Sequence, residues 1–346
     1  MKKLTRRKAV LNWGIAALAL SACGGQDVRL ATGEPEPAAT PSVTPRMVPG
    51  RMTTPSPEAT AAQPRGPTLV TPAREGTPYL VVARGDSPAA ITEAAVTALG
   101  GMGRFVKPGD DVIVKPNICV AYHGPEYAAT TNPEVVATIV RMVREAGAGR
   151  VRVMDYPFGG SAKDAYVVSG IQEAVERAGG EMELMAQVKY AEVDFPDVSR
   201  DIRRWVVYTD ALEADVLINV PIAKHHGIAT LTLGAKNLMG LIENRPLIHT
   251  NLHQRIADLV ALFHPALTIM DAVRILTAHG PSGGRLEDVQ QMNTVIASPD
   301  LVAVDAYTTR FFPFADTDKV AYIKYAAEMG LGTRDLDSVE IAEIEA

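Results

Sequence analysis

From residue 79 onward, short runs rich in Val and Ile alternate with segments whose apolar residues recur at helical period. This alternation constrains the fold more than any other feature of the chain. The strand-length runs are Tyr79–Ala83, Asp111–Lys115, Arg150–Asp155, Asp215–Val220, Leu267–Asp271 and Thr294–Ser298. Helices are predicted over Pro88–Leu99, Pro133–Ala146, Lys163–Ala178, Leu252–Phe263 and Leu301–Phe311. Strands that are apolar on both sides must be covered on both sides. The pattern therefore predicts an α/β fold, a mostly parallel sheet with helices on both faces in Rossmann-like layering. The stretch 182–208 is short and mixed, and reads as a small inserted β segment with Trp205 and Tyr208 near its end.

Residues 1–78 follow a different logic. A basic stretch, Met1-Lys-Lys-Leu-Thr-Arg-Arg-Lys8, precedes an apolar run from Ala9 to Ala22 and the sequence Leu20-Ser-Ala-Cys23. This is the layout of a signal peptide, and the Leu-Ser-Ala-Cys order resembles a bacterial lipobox in which Cys23 becomes the lipidated first residue. Thr5-Arg6-Arg7 also resembles a twin-arginine export signal, although Ala9 and Val10 replace the bulky pair that usually follows; general and twin-arginine export both stand as readings. Residues 24–78 hold 11 of the chain's 24 prolines, mixed with Thr, Ala and Ser and lacking aromatics. Such a stretch buries too little apolar surface to offset chain entropy, so a disordered tether is expected between a lipid anchor and a single domain over 79–346. The expected location is the outer side of the cytoplasmic membrane or the cell envelope.

Charge narrows the partners. Lys and Arg number 34 against 40 Asp and Glu, and five of the basic residues lie in the leader, so the remainder is 29 against 40 with a net charge of −11. No basic run offsets this, which argues against a nucleic-acid partner and leaves local basic pockets for small anions. With Cys23 committed to lipid, Cys119 stands alone, and no disulfide framework or cysteine-ligated iron–sulfur cluster can be built within the chain.

In such folds ligands bind beyond the carboxyl ends of the strands. Here those ends carry Lys115-Pro-Asn117, Asp155, Asn219 with Lys224-His225-His226 after it, and Asp271. Lys236 and Asn237 follow in a glycine-bounded turn, and four of the seven histidines fall between His225 and His253. Lysine is a point charge suited to carboxylate or phosphate and asparagine a neutral donor, so Lys115, Asn117, Lys224, Lys236 and Asn237 are the candidate ligand-binding residues. His225 and His253 are candidates for proton transfer, and Asp155 or Asp271 for orienting a histidine or a metal. His249 and His253, four apart, are a candidate pair for a divalent metal, with further ligands required from His225, His226 or Asp271. Ala278–Arg285 is a glycine-rich turn with backbone donors, Asn132 a helix cap before Pro133, Asp300 and Asp305 carboxylates opening a helix, and Cys119 a small buried hydrophobe.

Taken in order, Lys115-Pro-Asn117, Thr131-Asn-Pro133, Lys224-His225-His226, Lys236-Asn-Leu-Met-Gly240, His253, Asp271 with Gly280-Pro281, and Ala297 to Asp305 resemble the bacterial and archaeal family known as domain of unknown function 362. The resemblance runs from about Tyr79 to Phe312. It implies a redox context, because members often carry ferredoxin-type modules, and this chain departs there by lacking a cysteine cluster. It implies no reaction. The expectation is an exported, lipid-anchored enzyme acting on a small anionic substrate. The alternatives are a tethered ligand-binding protein without catalysis and a redox-associated partner protein.

Overall fold

A computed structural model describes residues 75–346; the leader, Cys23 and the tether as far as residue 74 lie outside the described residues. Twelve strands occur in chain order: β1 (Leu80–Arg84), β2 (Asp111–Pro116), β3 (Arg150–Val153), β4 (Glu181–Met182), β5 (Tyr190–Asp194), β6 (Arg204–Tyr208), β7 (Val216–Val220), β8 (Ile222–His226), β9 (Thr230–Thr232), β10 (Leu267–Leu276), β11 (Val289–Ser298) and β12 (Ile341–Glu345). Ten of them form one sheet with the path β12-β1-β11-β10-β7-β2-β3-β4, to which β8 and β9 attach beside β10. Pairing is parallel from β10 through β7, β2 and β3 to β4, and β11 runs antiparallel to both of its neighbours. The fold is thus α/β with a mostly parallel mixed sheet. β5 and β6 pair antiparallel as a separate hairpin within the stretch 182–208.

Alternation of side chains across each strand divides the core into two layers. Ile113, Leu217 and Leu80 pack on one face with residues of the helices Leu252–Phe263 and Leu301–Thr308. Val112, Val114, Val216 and Ile218 pack on the other with residues of Pro88–Ala98 and Pro133–Glu145. Both faces of β2 and β7 are therefore dry, which is why these strands read as continuous apolar runs. At about 1.5–3 kcal/mol per fully buried aliphatic side chain, the two layers supply most of what holds the sheet.

Local chemistry sets the boundaries. Asn132 caps Pro133–Glu145 by accepting from Glu134 N at 2.8 Å, and Asp300 caps Leu301–Thr308 by accepting from Ala303 N at 3.0 Å. The helix predicted over Lys163–Ala178 is two helices, Ala162–Val168 and Ile171–Arg177. Gly170 adopts φ +72° between them, a left-handed value that breaks an α-helix and suits glycine. β10 extends five residues past the expected end at Asp271, with a bulge between Ala272 and Arg274. That extension organises the site. The start of β10 pairs with β7 through Leu267 and Thr268, its later part pairs with β8 through Asp271 and Leu276, and the chain crosses from one to the other at Pro221. Lys224-His225-His226, read from sequence as a loop, is consequently a strand that projects beyond the sheet's carboxyl edge and folds back as a hairpin onto β9.

Candidate functional site

A cavity of about 830 Å³ opens at this edge, bounded by the ends of β2 and β8, the residues after β3, and the segment Lys236–His249. Its size is that of a small-molecule site. The wall is largely apolar, with Ile118, Met239 and Pro281 inside and the exposed side chains of Tyr156, Phe158 and Ile228 at the surface.

Beneath it lies a polar network that orders the strand ends. Lys115 is wholly buried, and its ammonium donates to Asp155 Oδ1 at 2.7 Å, to Pro116 O at 3.1 Å and to Asn237 Oδ1 at 3.2 Å. An ammonium has three N–H groups, so Lys115 is saturated within the protein. Burial lowers its pKa and the adjacent Asp155 carboxylate opposes that shift. Asp155 also accepts from Ile118 N at 2.6 Å. Asn237 accepts from Asn117 Nδ2 at 2.8 Å and donates to Asn219 Oδ1 at 2.9 Å, joining β2 and β7 to the four-residue helix Gly234–Asn237. Gly240 is where this pair is approached most closely: a Cβ there would lie 2.1 Å from Asp155 Oδ1 and 2.8 Å from Lys115 Nζ.

Lys224 differs from Lys115. It is 1% exposed and donates to Asn117 Oδ1 at 2.9 Å and Ala129 O at 2.6 Å, both uncharged acceptors. One N–H and the full charge are left over, at a position that lines the cavity. Arg245 lines it too, spending two donors on Tyr156 O and Pro157 O, each at 3.0 Å, with its guanidinium 4.5 Å from the centroid of the Tyr156 ring. Lys236 has no hydrogen-bond or ion-pair partner among the described residues. Its pKa is held down to about 7, chiefly by burial and then by the Lys224 and Arg245 charges.

Strand periodicity sorts the two adjacent histidines. Lys224 and His226, two apart on β8, both line the cavity, while His225 points to the opposite side. There its ring lies 5.8 Å from that of Phe314, and Nδ1 accepts from Gly280 N at 3.1 Å. His226 Nδ1 accepts from Ile228 N and Ala229 N, both at 3.1 Å, which places its proton on Nε2. Burial and the nearby lysines push its pKa down to about 3, so at neutral pH it is a neutral hydrogen-bond donor. His249, also lining the cavity, faces Arg245 O and Pro246 O with Nδ1 at 3.2 and 3.3 Å. Carbonyls require a donor, so in the neutral ring the proton sits on Nδ1 and the lone pair on Nε2. The two histidines thus present complementary functions, one donor and one acceptor.

Of the residues singled out from sequence, Asn117, Lys224, Lys236, Asn237 and His249 line the cavity, and Lys115 lies directly behind it. His225, His253 and Asp271 are not among its lining residues. His253 stacks on Tyr322 at 6.0 Å; burial lowers its pKa, and its buried Nδ1 has no hydrogen-bond partner. Asp271 is not at a strand end but within β10. It accepts from Asn132 N at 2.7 Å and Val273 N at 2.9 Å, and burial raises its pKa to about 6. It thereby ties the capped helix start at Asn132 to the sheet. Among the described residues no three His, Cys, Asp or Glu side chains converge as a metal centre requires. Asp155, expected at a strand end, lines the cavity as well, whereas His226 and Arg245 join the site only in three dimensions. The i, i+2 relation of Lys224 to His226 was the available signal, and it is meaningful only once the segment is known to be a strand.

Comparison with known proteins places the chain. It is 31% identical over 225 residues to the thylakoid-associated protein sll1697 of Synechocystis sp., covering 61% of this chain and 65% of that protein, just under two thirds of the relative's length. Among solved structures, the lactate racemase apoprotein of Thermoanaerobacterium thermosaccharolyticum aligns over 64% of this chain and 54% of its own, at 13% identity and a TM-score of 0.37. A Thermotoga maritima protein aligns over 71% and 60%, at 12% identity and a TM-score of 0.34. Residues 112–310 match the family described as domain of unknown function (DUF362), more than half of the chain, and the chain belongs to that family.

Proposed function

We propose that the protein is an enzyme acting on a small anionic substrate held in this cavity, and that it is exported and tethered by lipid on Cys23. One observation carries the substrate class. Lys224, Lys236 and Arg245 line the cavity, whereas its single lining carboxylate, Asp155, is already paired with Lys115 at 2.7 Å. A buried ammonium without a counter-charge is costly, and a bound carboxylate or phosphate supplies the missing charge and the acceptor for the unused N–H of Lys224. His226 as donor and His249 as acceptor supply the means to polarise or deprotonate that substrate. No helix among the described residues is long and apolar enough to cross a membrane.

Calorimetric titration of the full chain with inorganic phosphate, pyruvate and citrate tests the binding step. Lys224→Met and Arg245→Met are each expected to weaken the best-bound anion about tenfold or more, as removal of a charge-assisted hydrogen bond of about 1.5–3 kcal/mol requires. Equal binding of uncharged analogues would defeat the reading. The tethered binding-protein alternative gains from the placement of His225, His253 and Asp271 away from the cavity lining. It predicts that the unmodified chain turns over no substrate and that His249→Gln alters affinity alone, whereas in an enzyme the same substitution lowers turnover and keeps affinity.

A further inference from the structure

Two lysines of the same cavity are equipped in opposite ways. Lys224 donates to two acceptors, Asn117 Oδ1 and Ala129 O. Lys236 has none, although its backbone is firmly placed. The helix Gly234–Asn237 begins with Gly234 N and Ala235 N donating to the buried Asp305 carboxylate at 2.7 and 2.9 Å, and Asn237 is locked into the Lys115 network. The charges acting on Lys236 from Lys224 and Arg245 are of its own sign and, with burial, outweigh the opposing influence of the Cys119 thiol; the surrounding wall is largely apolar. A lysine desolvated beside other cations and given no acceptor is the arrangement that yields a neutral, nucleophilic amine.

We propose that Lys236 forms an imine with the carbonyl carbon of a small oxo acid whose carboxylate is held by Lys224 and Arg245. This rests on the anion-binding reading above and narrows it to one substrate class. The Nζ lone pair forms the C–N bond as the carbonyl π electrons move to oxygen. The two protons of the amine pass to that oxygen, which leaves as water, and the C=N bond closes. No oxidant, reductant or further reactant enters. The Nε2–H of His226 is the neutral donor available to the departing oxygen, and Nε2 of His249 the acceptor that relays the amine protons. Once its nitrogen takes up a proton from solvent, the resulting iminium withdraws electrons from the adjacent carbon more strongly than the ketone it replaces, so the class of reaction implied is bond cleavage next to the carbonyl of an oxo acid.

The test is reductive trapping. The full chain is incubated with pyruvate, glyoxylate or 2-oxoglutarate and cyanoborohydride, and the adducts are mapped by peptide mass spectrometry. At pH 7 an amine with a pKa of about 7 is half neutral, about a thousandfold more than an ordinary lysine. Lys236 is therefore expected to be modified at least about a hundredfold faster than exposed Lys163, with a rate that levels off above about pH 7 instead of near 10. Lys224→Met is expected to retain the adduct but require more oxo acid to saturate it, and Lys236→Met to lose it. Because the mapping is made on the unmodified sequence, misfolding of a variant cannot hide the result. Binding of pyruvate by calorimetry without preferential modification of Lys236 overturns the imine and leaves the anion site standing. No binding and no modification by any of the three oxo acids overturns it as well, and the separate titration with inorganic phosphate then decides the anion reading.

Discussion

Lys224 and Lys115 pose the same problem, a buried lysine carried on a strand, and answer it differently. Lys115 has Asp155 at 2.7 Å, whereas Lys224 has two uncharged acceptors. Breaking a buried pair strands a charge, so Asp155→Ala is expected to destabilise the fold by about 3–5 kcal/mol, measured by denaturant unfolding. Removing the unpaired charge has the opposite tendency. Lys224→Met is expected to hold or raise the melting temperature while anion affinity falls, and a loss of stability as large as that of Asp155→Ala would show that Lys224 is a structural residue instead. Gly240→Ala is expected to act like Asp155→Ala, because its Cβ would sit 2.1 Å from the carboxylate. Much of this residue chemistry was legible in the sequence: Lys115, Asn117 and Lys224 were recognisable at or after strand ends, and Lys236 and Asn237 in a glycine-bounded turn. Which lysine is saturated and which is free depends on acceptors as distant in sequence as Asp155 and Ala129, and no local pattern encodes that.

At the scale of elements, β8 and the helix Gly234–Asn237 present the site. Because β8 is a strand, substitutions along it should alternate in effect. His226→Leu is expected to impair ligand binding and His225→Leu to leave it nearly unchanged; equal effects in titration would contradict the strand register. The short helix depends on Asp305, which burial raises to about 7 despite its two backbone donors. In the unfolded chain this carboxyl releases its proton near pH 4. Between about pH 4 and 7 the native state therefore binds more protons, and stability falls as pH rises through that window. Asp271, raised to about 6, adds to the same trend up to its own pKa. Asp305→Asn is expected to flatten the decline in melting temperature between pH 4 and 7, and an unchanged slope would remove Asp305 as its cause. Sequence reading located Asp305 on its helix but not its partners, since Gly234 lies 71 residues away.

For the whole molecule, the alternation of apolar strands and amphipathic helices determined the α/β class, and the leader and proline-rich stretch set the expectation of export and lipid anchoring. Cys23→Ser is expected to abolish incorporation of labelled fatty acid and release the protein from membranes in cell fractionation; persistent labelling would exclude Cys23 as the lipid site. What the sequence by itself determined was the class of fold, the strands at its centre and the chemistry concentrated at their carboxyl ends, because burial on two faces and helical period are written in neighbouring residues. What only the tertiary structure decided was that β10 runs on to Leu276 and gives β8 an edge to pair with. That pairing turns Lys224-His225-His226 from a loop into a strand, selects His226 over His225 for the cavity, and sets Lys236 beside two other cations with no acceptor of its own. Hydrogen bonding between distant segments and the mutual repulsion of charges brought together by folding are properties of the assembled chain, so they enter only when the sheet is complete.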